Sequence, residues 1–184
     1  MNAEAGGTRR LPMLERDEVE PEIAALYDQL LRDRGVVPNM FKTLASVPAL
    51  ALGTTAFLKP LMGEGSLPGW YKELVATRVA MLNRCEYCTS AHRLLARQRG
   101  ATHQQIETLE NFESGPFTER DKAGLRYACL LHQSGHAIDD AAYSAVSAQF
   151  NTQEILELTA VAAAFEFFSR MNSALRIPVT PVPG

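Results

Sequence analysis

The segment EILELTAVAAAFEFFSRMNSALRI, from Glu154 to Ile177, is apolar around most of a helical circumference, and it constrains the fold more than any other stretch. A helix greasy on most sides has to lie at the centre of a molecule or in a subunit interface. Leu158, Val161, Ala162, Phe165, Phe168 and Met171 are its candidate buried positions, and covering it is one reason to expect a homo-oligomer. The rest of the chain keeps the same period. Apolar residues recur every three or four positions with almost no sustained alternation, which argues for an all-α protein. The 184 residues fit one domain of ~150 with short appendages. A chain of that length buries roughly 70% of its unfolded surface, enough for a core without staples.

Stop and start signals divide the chain into a train of helices. Residues 1–20 read as a polar arm, 21–176 as the helical domain, and the Pro-rich IPVTPVPG at 177–184 as an extended tail; either end could drape over a neighbouring subunit. The first helix runs from Pro21 to Gly35 with Ile23, Leu26, Tyr27, Leu30 and Leu31 on one face. Pro38, Pro48, Pro60 and the GEGSLPG segment punctuate short helical pieces. A helix from Pro68 or Gly69 carries Leu74, Val75, Val79, Met81 and Leu82 up to Asn83, and another runs from about Arg84 to Arg99, closed by Gly100. Thr102 with Gln105 and Asn151 with Glu154 have capping-box spacing and predict helices over 104–113 and 152–175. Thr118 with Asp121 predicts one reaching Gln133, and Asp139 or Asp140 one ending near Phe150. Trp70 and Phe57 are read as core residues.

The net charge of −3 comes from interleaved acids and bases, so no nucleic-acid surface is expected. The amino terminus lacks the apolar stretch of a secretory signal, and no apolar run is long enough to span a bilayer. A cytoplasmic protein follows by default. In a reducing compartment three cysteines are not a disulfide framework, and a close pair leans toward catalysis or metal binding.

That pair lies in NRCEYCTSAH, Asn83 to His92. Asn83 is a good N-cap residue and Glu86 completes a capping-box pattern. Cys85, Cys88 and His92 then fall at steps of three and four on one helix face. The spacing permits a disulfide, since α-carbons three apart on a helix lie roughly 5 Å from one another. It also favours a reactive thiolate. A free thiol has a pKa of about 8.5, and a helix amino end, a histidine or a Cys-X-X-Cys setting lowers it to ~3.5–7.5. His92, one turn from Cys88, can take or return a proton. The rival reading of the trio is packing or zinc, which requires further ligands. His132 and His136 are the suitable histidine pair, yet each is read as a surface or capping side chain because Gly135 between them suggests a helix end. Cys129, in AGLRYACLL, is read as a small hydrophobe. Glu73, in WYKELVATR, reads by itself as an exposed acid paired with Lys72 or Arg78.

The combined pattern E-x11-C-x2-C-x3-H, formed by Glu73, Cys85, Cys88 and His92 in ELVATRVAMLNRCEYCTSAH, resembles the carboxymuconolactone decarboxylase superfamily, and within it the alkyl hydroperoxidase D-like (AhpD-like), peroxidase-related branch. The likeness covers roughly Pro38 to the end. It implies an all-helical fold assembling into trimers or hexamers, and a thiol peroxidase that needs no cofactor. Cys88 would be the peroxidatic thiol, Cys85 the resolving thiol, and His92 and Glu73 the proton relay. A hydroperoxide would be the substrate, and a dithiol or thioredoxin-like donor the reductant. One position departs: well-characterised members carry histidine immediately before the second cysteine, where this chain has Tyr87. Tyrosine donates a hydrogen bond but accepts a proton poorly near neutrality, so Tyr87 is carried as a substrate-pocket residue. Alternatives on the same residues are a general disulfide oxidoreductase or redox sensor, a muconolactone-type decarboxylase, and a zinc-clamped binding module.

Overall fold

Capping chemistry sets most of the element boundaries in the computed structural model, which describes residues 8–181. Thr118, Asn151 and Thr102 each accept the backbone N–H of their third helical residue, and Asp121, Glu154 and Gln105 return the bond to the cap amide. Pro21 opens a helix that Gly35, at φ 70°, ends by donating to Leu31 O. The helices are α1 (Pro21–Arg34), α2 (Asn39–Leu44), α3 (Pro48–Met62), α4 (Gly69–Leu82), α5 (Glu86–Gln98), α6 (His103–Glu107), α7 (Glu119–Gln133), α8 (Asp140–Ser147) and α9 (Thr152–Leu175). Short 3₁₀ turns occur at Arg16–Glu18, Leu109–Ser114 and Gly135–Ala137. There is no strand among the described residues, and none of their helices is long and apolar enough to cross a membrane.

The central element is α4. Its residues Tyr71 to Thr77, with Val79 and Ala80, are all buried, and α3, α5, α7 and α9 pack around it. The greasy α9 buries Leu158, Val161, Ala162, Phe165 and Phe168 against that centre, while Leu156 and Phe167 remain exposed. Phe167 shares an apolar groove with Val47, Leu50 and Phe57 of the α3 region. Phe57 is therefore not a core residue: its side chain is 50% exposed on the outer face of α3, whereas Trp70 packs edge-on against Tyr71. Leu31 is likewise exposed, one position off the buried stripe of α1.

Three boundaries differ from expectation. Pro60 does not stop α3, which continues to Met62 and is ended by Gly63, whose N–H donates to Lys59 O. The helix expected over 104–113 breaks after Glu107. There the Thr108 hydroxyl donates to Gln104 O at 2.7 Å, and the chain tightens into a 3₁₀ turn that buries Leu109 and Phe112. The third difference, at Asn83, belongs to the site below.

The described parts of both ends pack on their own chain rather than reaching outward. Arg10 donates through its amide to Leu175 O and through its guanidinium to Ala174 O, satisfying carbonyls at the end of α9. Asn39 donates its side-chain amide to Pro178 O and Val179 O, and its backbone N–H to Thr180 Oγ1. Residues 1–7 of the arm and 182–184 of the tail lie outside the described residues.

Adjacent residues of α4 carry opposite buried charges into different surroundings. Lys72, 1% exposed, donates to Leu61 O and Gly63 O and pairs with Glu157 Oε2 at 2.9 Å. Glu157 also accepts the amides of Ser66 and Leu67 at 2.8 and 3.0 Å. A Cβ at Gly65 would strike its carboxylate, so this network fixes the GEGSLPG loop. Burial pushes the Glu157 carboxyl up, but the Lys72 ammonium and the two amides outweigh it and hold the group below its ordinary range. Lys72→Met is expected to cost about 3 kcal/mol, since it strands a carboxylate and two carbonyls. Because the folded carboxyl is depressed, its contribution is present above about pH 4.3, the unfolded value, and fades as pH falls through the folded one. Urea titrations of both proteins at neutral and acid pH check this, and a gap that widens on acidification would contradict it.

Candidate active site

The turn from α4 to α5 places the cysteines. Asn83 ends α4, donating its backbone and side-chain N–H groups to Val79 O, each at 3.0 Å, so it is a C-cap rather than the N-cap of the next helix. Arg84 then takes a left-handed conformation at φ 54°, which costs a residue with a side chain about 1 kcal/mol. Cys85 becomes the N-cap of α5, its sulfur accepting the Cys88 N–H at 3.2 Å, and Glu86 is the first helical residue. Cys88 thus sits in the first turn, at the positive end of the helix dipole, a setting that favours a thiolate once the pair is reduced. Cys85 and Cys88 are joined as a disulfide with α-carbons 5.4 Å apart, and each is 2% exposed.

Glu73 is not the exposed acid that its local sequence suggests. It is 1% exposed, with Oε2 2.5 Å from His92 Nδ1 and Oε1 3.3 Å from Arg99 Nη1. A carboxylate at Nδ1 fixes the proton there and leaves Nε2 as the acceptor of a neutral imidazole. The ring is held in place from the other side, edge-on against Phe165 with centroids 4.3 Å apart. Arg99 is anchored in turn by the Met62 carbonyl.

Glu73, Tyr87, Cys88 and His92 line one cavity of about 120 Å³, so four of the five expected site residues meet there. Cys85 joins them through its bond to Cys88. The remaining wall is largely apolar, from Met40, Phe41, Leu95, Phe165 and Phe168, and the tail closes it with Val179 and Thr180. Tyr87 both lines the cavity and pins its wall: its hydroxyl accepts the buried Met40 N–H at 3.2 Å, and Thr180 Oγ1 lies 3.5 Å away. Burial pushes this hydroxyl up, against the smaller pull of Thr180 and Met40, so it stays protonated at neutral pH and cannot serve as a base.

Asn172 was not anticipated. It is 2% exposed on the buried face of α9, donating Nδ2 to Cys88 Sγ at 3.3 Å and to Met40 Sδ at 3.6 Å. The available signal was a polar side chain seven residues beyond Phe165, on the stripe where everything else expected to be buried is apolar. His132 was also underread. Its Nδ1 lies 2.6 Å from Glu166 Oε1, which accepts Asn83 Nδ2 at 2.9 Å, so it ties α7 and α9 to the turn before the cysteines. His136 stays exposed beside Ser134, as expected. Cys129 is partly buried, with the Arg78 guanidinium against its sulfur. No group of three or more His, Cys, Asp or Glu side chains among the described residues is arranged to hold a metal.

Residues 48–128 match the model of the carboxymuconolactone decarboxylase family. The uncharacterized protein YnjA of Escherichia coli (strain K12) is 27% identical over 108 residues, 58% of this chain and 59% of that protein, so the match spans less than two thirds of the relative's length. Several solved structures cover nearly the whole chain. The AhpD-core structure of an uncharacterized peroxidase-related protein from Ralstonia eutropha superposes with a TM-score of 0.87 at 23% identity, over 96% of this chain and 94% of that one. An uncharacterized peroxidase-related protein from Silicibacter gives 0.86 at 25% identity, over 98% and 95%. The debrominase Bmp8, solved with 2,3,4-tribromopyrrole as a cysteine-to-alanine variant, shares the fold with a TM-score of 0.82 at 19% identity, over 95% and 92%.

Proposed function

We infer that this chain, whose residues 48–128 belong to the carboxymuconolactone decarboxylase family and whose fold is AhpD-like, is a thiol-dependent hydroperoxide reductase. The observation that carries this reading is the buried Cys85–Cys88 pair opening on the same apolar cavity as a histidine locked by Glu73.

In the reduced protein His92 Nε2 takes the Cys88 thiol proton, and the resulting thiolate attacks the terminal oxygen of the hydroperoxide. The S–O bond forms as the O–O bond breaks, and the departing alkoxide takes that same proton from His92 Nε2. Cys88 is left as a sulfenic acid. Its sulfur is then attacked by the Cys85 thiol, water leaves, and the disulfide forms. A dithiol restores the pair by two exchanges and returns two protons. Glu73 holds His92 in one tautomer throughout and supplies the counter-charge when the ring carries its second proton. The apolar wall suits a hydroperoxide with a compact hydrocarbon group.

Burial separates this reading from a general disulfide oxidoreductase. A disulfide 2% exposed is accessible to a molecule small enough to enter the cavity, whereas a protein disulfide requires the α4–α5 turn to move. The same argument favours a small dithiol over a thioredoxin-like protein as the electron donor.

Thiol titration tests the assignment. The reduced chain starts with three thiols; one equivalent of cumene hydroperoxide is expected to remove two of them, leaving Cys129, and a dithiol to restore both. Retention of all three thiols under peroxide would end the hydroperoxide reading, and equal reactivity toward protein disulfides would favour the oxidoreductase.

A further inference from the structure

Among the polar groups of the cavity that the reaction above does not use is Asn172. Its two sulfur neighbours, Cys88 Sγ and Met40 Sδ, are both acceptors, so the nitrogen end of the amide must face them. The oxygen end faces no donor at all: Oδ1 is buried and without a hydrogen-bond partner. A buried carbonyl normally finds one, and an orphan at a reactive centre calls for an explanation. Ser169, one turn earlier on α9, is also buried without a partner but does not line the cavity, whereas Asn172 does. An amide of the cavity wall that donates to the reacting sulfur while its buried oxygen has no partner is matched to a ligand that brings its own O–H.

We propose that Asn172 is a catalytic residue of this site, its amide stabilising the Cys88 thiolate while its carbonyl accepts the O–H of the incoming hydroperoxide. The proposal rests on the hydroperoxide reading for its second half. A hydroperoxide has one proton, on the oxygen that the thiolate attacks. Tethering that proton to Oδ1 orients the terminal oxygen toward Cys88 and turns the O–R group away, as displacement at oxygen requires. No proton is transferred to the amide. The O–H stays with the oxygen that becomes the sulfenic acid, and His92 protonates the alkoxide. The donor half acts like one member of an oxyanion hole, aimed at sulfur in place of oxygen.

The test uses a Cys85→Ser, Cys129→Ser background, in which Cys88 is the remaining thiol, with Asn172→Leu and Asn172→Asp placed on it. Iodoacetamide and cumene hydroperoxide are reacted with each protein across pH, giving a titration midpoint and a plateau rate for each reagent. The titratable groups sharing the cavity, Glu73, Tyr87, His92 and Arg34, are the same in all. Asn172→Leu is expected to raise the midpoint by about one unit or more, since it removes a hydrogen bond to a charged group. It is expected to lower the peroxide plateau by about 100-fold while leaving the alkylation plateau little changed, because iodoacetamide has no O–H to orient. Asn172→Asp keeps an acceptor but loses the donor. It is expected to raise the midpoint at least as far and to retain more of the peroxide plateau than leucine does. It carries the test alone if the leucine protein does not fold. A residue that only ties α9 to α5 would move both plateaus together, and that result, or unmoved midpoints, overturns the proposal. Failure of the background protein itself to react with peroxide would instead sink the hydroperoxide reading, and the carbonyl half with it.

Discussion

Cys88→Ser is expected to abolish hydroperoxide turnover, by at least about 10³-fold, whereas Cys85→Ser stops the cycle after a single oxidation. The asymmetry follows from where the two sulfurs sit. Cys88 lies in the first turn of α5 with the Asn172 amide against it, on the cavity wall. A serine there has a hydroxyl that does not ionise near neutrality and offers no polarisable nucleophile. Cys85 is the N-cap of that helix. Serine is among the best N-cap residues, so Cys85→Ser preserves the start of α5 while removing the resolving thiol. The expected product is a persistent sulfenic acid on Cys88, trapped by dimedone and located by mass spectrometry of the tryptic peptide. Steady-state turnover with a dithiol falls to the rate at which that dithiol reduces the sulfenic acid directly. If the dimedone adduct instead appears on Cys85 in a Cys88→Ser protein that still turns over, the roles are reversed.

The structure also shows which features were local enough to read. The Thr118–Asp121 and Asn151–Glu154 boxes each involve four consecutive residues, and the helices they open begin where expected. Asn83 followed by Glu86 has the same spacing and misleads, because asparagine serves equally well at a helix end. What decides is the left-handed turn at Arg84, which hands the cap to Cys85. The column of Cys85, Cys88 and His92 survives the correction, since it depends only on steps of three and four.

Longer-range features were beyond local reasoning. Lys72 and Glu73 look like neighbours on an exposed face, yet α4 is buried on every side, and each side chain finds its own partner. Lys72 meets Glu157 from α9, and Glu73 meets His92 and Arg99. Asn172 meets Cys88 across 84 positions of sequence. In isolation it is one polar residue on a mostly apolar helix, and only the packing of α9 against α5 brings its amide to Cys88 and buries its oxygen without a partner. Phe57 fails in the opposite sense. Its hydrophobicity is legible, but the exposure of the outer face of α3 depends on which side the other helices cover.

Glu73→Gln is expected to reduce peroxide turnover by about 100-fold or more while leaving the two thiols able to form their disulfide. The substitution preserves shape, so its effect isolates the charge. The Glu73 carboxylate is hydrogen-bonded to His92 Nδ1 through one oxygen and ion-paired with Arg99 Nη1 through the other. A glutamine offers one acceptor and one donor. With its oxygen toward His92, its NH₂ group confronts the Arg99 guanidinium. With its NH₂ toward His92, the imidazole must carry its proton on Nε2, where the reaction needs an acceptor. Either orientation also leaves a donor unpaired in a buried site, at a cost of about 1–3 kcal/mol that thermal denaturation would register. A mere loss of stability would leave turnover in the folded fraction intact, so the kinetic loss has to be measured well below the transition. If Glu73 acts only through His92, the His92→Ala protein and the Glu73→Gln, His92→Ala double variant should turn over at the same low rate, since removing the second member of a unit costs nothing further. Additive losses would mean that Glu73 acts on the chemistry by another route, and turnover within a few-fold of the parent would reduce the pair to a structural tie between α4 and α5.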